Sequence, residues 1–526
     1  MSQMLKSSGA MGAATLTSRI LGMVREIVYA NFMGDSPVAS AFKFAFQVPS
    51  LFRRLLGEGA LSAAFIPIFK EKEKRDGERE MWHAANAVVS GLVVAAAAII
   101  GLVLLGVSLA LLVYRFDANT RLMLQLLRLM FPYMLLVCVA AVFMGMLNAR
   151  GHFFVPAMSA TMLNVVMIAS VWWLAPRMGA TLDTQIFGLA IGVLVAGGAQ
   201  ACFQWPLLRR DGYRYQWIPP WRDVVVRQVL LKMVPGMMGV AAFQLNVLLT
   251  NSIAFYIDKQ IVASFDYAVR LMELPQGVFG ISLATYLLPT LAGLAAEKKY
   301  AEFRSTLTQG LGYLLFVNLI ASVLLTVLAK PIIRLLFERG QFDAASTQRA
   351  SLALACLAPG LAAFSVVNIL ARAFYALGDT KTPMLISIVC LGLNLVFALW
   401  LIGPLRQAGM GVANTMSAVF NVYLLAHALR RKMPRLDWSV LRECLVKMVG
   451  AMGLAGGLAW LAFSWWDQRM GHARLAVKIG AVFGPMTLAV AIYWTLALLM
   501  KIPAAQDMAG LLGNQPSKRE EGAEQE

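Results

Sequence analysis

Apolar runs of about twenty residues recur from one end of this chain to the other, and that recurrence constrains its fold more than any motif. Roughly twenty residues cross about 30 Å of hydrocarbon as a helix, and in lipid only helices and closed barrels satisfy their own backbone. The 526 residues are 59% hydrophobic and 14% charged, against about 25% charge in soluble domains. The pattern predicts an all-α polytopic membrane protein of about fourteen transmembrane helices. They fall roughly at 9–33, 38–58, 84–112, 122–148, 156–175, 185–206, 228–256, 262–291, 305–329, 346–376, 384–403, 409–429, 444–465 and 477–500. Lys6 precedes the first run and no small-residue cleavage site follows it, so the first helix reads as a retained span.

The net charge of +18 sits mainly in alternate loops. Arg53, Arg54, Lys70, Lys72, Lys74, Arg75 and Arg79 follow span two, and Arg209, Arg210, Arg214, Arg222 and Arg227 follow span six. Arg430, Arg431, Lys432, Arg435 and Arg442 follow span twelve, whereas the loops after spans one, seven and eleven carry only Asp35, then Asp258 with Lys259, then Arg406. This is the positive-inside bias. It places both termini in the cytoplasm and makes nucleic acid an unneeded explanation. The run Glu71–Glu80 reads as a solvated cytoplasmic segment. Cys138, Cys202, Cys356, Cys390 and Cys444 are scattered, and the four histidines form no H-E-x-x-H pair, so neither disulfide framework nor metal site is expected. No D-D-x-x-D cluster suggests a prenyl-phosphate enzyme, and the chain reads as a non-enzyme.

The sequence repeats with an offset near 227. Pro132, Gly151 and Pro156 match Pro359, Gly378 and Pro383, and Ala149–Pro156 parallels Ala376–Pro383. Six spans preserve orientation, so two parallel-repeat six-helix lobes bracketing a central cavity are expected. The N-terminal lobe takes residues 1–227 and the C-terminal lobe 228–432. Two further helices occupy 433–502, and 503–526 form a disordered cytoplasmic tail.

Charges within spans are rare because each costs roughly 2.5–3.5 kcal/mol on insertion scales. Helix one nevertheless carries Arg19, Arg25 and Glu26, with Arg19 and Glu26 on one face and Arg25 about 120° round. Helix two carries Lys43 and ends in Arg53, Arg54 and Glu58, the last two spaced for pairing. Helix eight carries Asp266, Arg270 and Glu273. Arginine forks match phosphate oxygens, so this surplus predicts an anionic substrate, with nearby carboxylates holding the forks in its absence. Prolines at 49, 132, 235, 275 and 359 permit bends within spans.

Several of these stretches resemble a known family. Ser18-Arg19-Ile20-Leu21-Gly22-Met23-Val24-Arg25-Glu26 and Pro49–Ala60 are similar to the opening of the MurJ (MviN) lipid II flippases. Arg270–Gly277, Leu336–Phe342 and Phe374–Pro383 continue the likeness in order. The resemblance implies the multidrug/oligosaccharidyl-lipid/polysaccharide exporter fold in a bacterial inner membrane. It also implies alternating access driven by membrane potential or a coupling ion (H+ or Na+), with no bound cofactor. Helices thirteen and fourteen would form a groove for the lipid tail. The substrate would be lipid II, the undecaprenyl-diphosphate-linked muropeptide, with membrane lipids and cell-wall synthesis proteins as partners. Its binding residues correspond here to Arg19, Arg25, Glu26, Arg53, Glu58 and Arg270. Other readings are another lipid-linked oligosaccharide, or a non-transporting scaffold. Relatives often have aspartate where this chain has Ser40 and Val269, and an acid where Ala398 follows Asn394. Asp266 and Lys43 are therefore expected to adjust the local charge.

Overall fold

The computed structural model describes residues 2–57, 60–433, 438–472 and 474–512. It packs as two compact units, Met1–Ala263 with Arg339–Phe342, and Ser264–Glu338 with Asp343–Glu526. The first contains α1 (Ser2–Met33), α2 (Pro37–Phe52), α3 (Ala60–Asp76), α4 (Glu78–Val113) and α5 (Ala118–Met130). It continues with α6 (Tyr133–Ala149), α7 (Phe154–Ala169), α8 (Ala175–Met178), α9 (Leu182–Arg210) and α10 (Val224–Ile257). The second contains most of α11 (Ile261–Pro275), then α12 (Ser282–Ala296), α13 (Tyr300–Val327), α14 (Ala329–Phe337), α15 (Ala344–Leu357) and α16 (Gly360–Ala376). It ends with α17 (Lys381–Leu405), α18 (Gln407–Lys432), α19 (Trp438–Met470), α20 (Leu475–Leu499) and α21 (Pro503–Leu512).

Nine of the described helices, or segments of them, are long and apolar enough to cross a membrane, and two bent pairs, α5–α6 and α15–α16, add two spans. Three further sets of described helices fail that test: α1, α2 with α3, and α11 continuing into α12. These carry Arg19, Arg25, Glu26, Lys43, Arg53, Asp266, Arg270 and Glu273, and with them the number of spans is about fourteen. The lipid-facing surface is visible on α4, where exposed Leu102, Leu105, Leu109 and Leu112 recur at helical spacing.

The repeat survives in detail. Pro132 breaks α5–α6 by 42°, and Pro359 breaks α15–α16 by 44°. Gly151 and Gly378 both end their helices with positive φ, at 87° and 75°. His152 N–H donates to the Leu147 carbonyl, and Asp379 N–H to that of Phe374, each over 2.9 Å. This is the same helix-ending motif, which favours glycine because a Cβ is disfavoured at that φ. Both second spans also pass through a π-helical turn, at Arg53–Gly57 and at Gln276–Ile281.

Two boundaries differ from the sequence reading. The first compact unit extends past 227 to Ala263, because α10 packs on α3 and α4. Gly91 leaves room there for Val226, which an added Cβ would meet at 3.1 Å. Sequence repetition marks ancestry, whereas compactness follows whichever faces bury each other. The predicted tail from 503 starts instead with α21, where buried Ala504 and Ala505 follow Pro503 at the helix start. Tyr313 Oη donates to Asp507 Oδ2 over 2.8 Å. Residues 513–526 lie outside the described residues.

Loop contacts within each unit agree with the alternation of faces. On one side Arg150 meets Glu73 at 2.6 Å and Glu78 at 3.0 Å, and His152 meets Asp211 at 3.1 Å. Lys70 and then Arg150 hold the Glu73 carboxyl below its ordinary pKa. The equivalent turn of the second unit pairs Asp379 with Lys432 at 2.7 Å. On the other side Lys259 meets Asp117 at 3.5 Å, and Lys478 meets Glu338 at 3.3 Å. Every such pair joins loops an even number of spans apart.

The Asp379 carboxylate accepts from Lys432 and from the Thr382 backbone, which hold its pKa well below the usual carboxylate range. A depressed folded-state pKa stabilises above the ordinary carboxylate value, near 3.9, and is lost as pH falls below it. Asp379→Asn should therefore flatten the acid limb of a stability–pH curve below about pH 5, measured by thermal melting in detergent.

Arg334, 8% exposed, donates to Asp467 Oδ1 over 2.9 Å and also lies 3.6 Å from Glu338. This pair ties the α19–α20 hairpin to α14. Asp467→Ala leaves a buried guanidinium with one partner fewer, at a cost of about 2 kcal/mol. The expected result is a lower melting temperature, with recovery when Arg334→Met is added.

Candidate substrate-binding site

Within the first unit, α1 and α2 bring three ionised side chains together. Arg25 Nη2 donates to Glu26 Oε1 over 2.6 Å. Lys43 Nζ donates to Glu26 Oε2 over 3.4 Å. Arg25 is 9% and Glu26 3% exposed. The Arg25 guanidinium lies 5.4 Å from the centre of the Tyr29 ring one turn on, a cation–π distance. Tyr29 in turn meets Phe42 edge-on at 6.1 Å, so the aromatic contact and the Lys43 bridge fix α1 against α2.

Both cations converge on one carboxylate, which lowers the cost of burying them. Glu26 thereby holds the Arg25 fork in one orientation. The helical-wheel reading placed Arg19 rather than Arg25 beside Glu26. The structure pairs Glu26 with its neighbour because a guanidinium on a long stem reaches round the helix, and Arg19 sits half-buried elsewhere on α1.

Arg53 opens the π-helical turn that follows Pro49, and its N–H donates to the Pro49 and Ser50 carbonyls. It is half-buried, and Arg54 is exposed. π-Helical turns are uncommon and concentrate at functional positions. Glu58 lies outside the described residues. In the second unit Arg270 Nη1 donates to Glu273 Oε2 over 3.0 Å, with both side chains well exposed. Asp266 is half-buried one turn earlier.

Ser40 is fully buried, and its hydroxyl accepts the Ala263 N–H over 3.0 Å. That N–H belongs to the first turn of α11, where backbone donors have no helical partner. The serine therefore caps α11, a role that a carboxylate at this position would equally serve. Asn394 and Ala398 are buried one turn apart on α17. No group of three or more histidine, cysteine or acidic residues among the described residues is placed to hold a metal ion.

Sequence reading passed over Arg128 among the cations within spans. Arg128 is exposed on α5 beside a cavity of about 390 Å³ that Gln125, Leu129 and Phe187 also line. The signal was present in the spacing of Arg121, Gln125 and Arg128, which share one helical face.

Comparison with known proteins agrees with this architecture. The family model described as "Lipid II flippase MurJ" matches residues 29–479. The chain is 32% identical over 534 residues to a probable lipid II flippase MurJ of Vibrio cholerae, covering 95% of this chain and 97% of that one. Against its counterpart in Haemophilus influenzae it is 34% identical over 440 residues, covering 79% and 84%. A lipid II flippase MurJ of Burkholderia cenocepacia is 31% identical, with 92% and 95% covered. The solved structure of lipid II flippase MurJ in an inward closed conformation superposes with a TM-score of 0.76 at 21% identity, covering 93% of this chain and 98% of that one. An inward-facing multidrug transporter of the MATE family gives a TM-score of 0.65 at 14% identity, with 81% and 99% covered. These two superpositions show the shared fold. The length of the family match and the identity over nearly the whole chain place this multi-pass membrane protein in the MurJ lipid II flippase family.

Proposed function

We propose that this protein moves lipid II from the cytoplasmic to the periplasmic leaflet of the bacterial inner membrane by alternating access, with both termini in the cytoplasm. The observation that carries the reading is the buried Arg25–Glu26–Lys43 cluster, in a chain belonging to the MurJ family. A diphosphate offers oxygens that the Arg25 fork can take bidentately, while Lys43 adds a point charge. Glu26 keeps both cations placed when the diphosphate has left. Arg19, Arg53 and Arg270 are further candidate headgroup ligands, each at least partly accessible on a charge-bearing span. Asp266 supplies negative charge one turn before Arg270, where Val269 replaces an acid that relatives often carry. Energy comes from the membrane potential or a coupling ion, and cell-wall synthesis proteins would draw on the product.

The test is rescue of a bacterial strain depleted of its own lipid II flippase. The parent protein should restore growth, and Glu26→Gln should not, whereas Asp266→Asn should weaken rescue less severely. Failure of a properly inserted parent protein would remove the lipid II assignment.

A further inference from the structure

The α5–α6 path crosses the membrane over Ala118–Ala149, so its midpoint lies near Tyr133. Arg128 stands five residues before that midpoint, about 7–8 Å along the axis. This lies inside the hydrocarbon thickness, on the side that the loop pattern assigns to the periplasm. Leu122, Leu126, Leu127 and Met130 of the same helix are buried, and the face bearing Arg121, Gln125 and Arg128 points away from them.

Among the described residues Arg128 has no hydrogen bond or ion pair, unlike Arg25, which Glu26 holds. Fold requirements do not account for it. Aligned on Pro132 and Pro359, the matching position of the second unit is Ala355, in a span bent by nearly the same angle. An exposed guanidinium at this depth is costly unless water or an anion reaches it, and the adjoining cavity of about 390 Å³ gives an anion room. Gln125 contributes an amide one turn before Arg128, and Leu129 and Phe187 form apolar walls. Fork, amide donor and apolar wall together fit a phosphate carried on a hydrocarbon chain better than a fully hydrated ion.

We propose that the Arg128–Gln125 cavity is a second, outer-half station for the phosphate headgroup of a lipid, separate from the Arg25 cluster. That its natural occupant is the transported lipid rests on the function proposed above; the site's preference for a lipid phosphate does not. The probe is farnesyl diphosphate, bound to the full-length protein in detergent and counted by native mass spectrometry, with inorganic pyrophosphate as competitor.

The parent should bind two farnesyl diphosphates. Arg128→Gln should lose one, or bind it at least tenfold more weakly, without loss of melting temperature, because the side chain is exposed. Arg128→Lys should retain part of that affinity, and Arg25→Gln should keep the Arg128 site. Unchanged stoichiometry and affinity in Arg128→Gln would overturn the proposal. So would displacement by pyrophosphate at concentrations equal to those of the lipid, since the ligand would then be a free anion. A parent that fails to support growth yet shows the Arg128-dependent site would count against the transport reading and leave this one standing.

Discussion

Arg25→Ala should reduce lipid II movement by about 100-fold or more, the effect of losing a bidentate, charge-assisted contact of roughly 3 kcal/mol. Arg25 is buried against Glu26 and covered by Tyr29, so its loss also leaves the carboxylate with Lys43 at 3.4 Å as its remaining contact in this trio. Arg25→Lys separates the two contributions, because lysine keeps the charge and lacks the planar fork. It should recover only part of the activity. Glu26→Gln should cost at least tenfold, since it removes one charge-assisted hydrogen bond of about 1.5–3 kcal/mol and the negative charge that both cations share. Rates of headgroup exposure in reconstituted vesicles measure all three.

The second large effect is structural. Gly340 has φ of 56° and faces the end of α1, where the Gln341 N–H donates to the Asn31 carbonyl over 3.0 Å. A Cβ at position 340 would collide with the carbonyl oxygen and the side chain of Asn31, and one at Gly34 would lie 2.5 Å from the Gln341 carbonyl. Two glycines thus let two backbones approach within the first unit. Gly340→Ala combines left-handed strain of about 1–2 kcal/mol with overpacking of about 1–3 kcal/mol. The expected result is a loss of folded protein in membranes and a melting temperature lower than that of Asp467→Ala. Gly340→Ser should fail similarly, whereas Gly77→Ala, with open space around its Cβ, should lose only the backbone strain of φ 88° and ψ 176°, about 1–3 kcal/mol.

Much of this architecture was legible because lipid imposes a simple rule on backbone polarity. Apolar length located most spans, and the three charge-bearing paths stood out as interruptions of that rule. The repeat was legible through Pro132 with Pro359 and Gly151 with Gly378, residues whose backbone restrictions force the same bend and the same helix ending. What stayed hidden depended on side-chain reach and on packing. A helical wheel treats Arg25 and Glu26 as neighbours pointing apart, and only the length of the arginine stem brings them to 2.6 Å. The π-helical turns leave no periodic signature over five or six residues. The capping of α11 by Ser40 joins residues more than two hundred positions apart, through a hydroxyl that sequence reading treated only as a missing acid. Arg128 was hidden differently: a single charge in a long apolar stretch looks like an exception until its spacing from Gln125 and Arg121 is seen as a face.

The central claim is that the Arg25–Glu26–Lys43 cluster holds the diphosphate during transport. It is tested most directly by following fluorescent lipid II in proteoliposomes with an impermeant quencher. With the parent protein, lipid II from the inner leaflet should become accessible during the assay, and with Arg25→Ala the signal should stop at the outer-leaflet fraction. Equal exposure with the parent and Arg25→Ala, both correctly inserted, would contradict the claim.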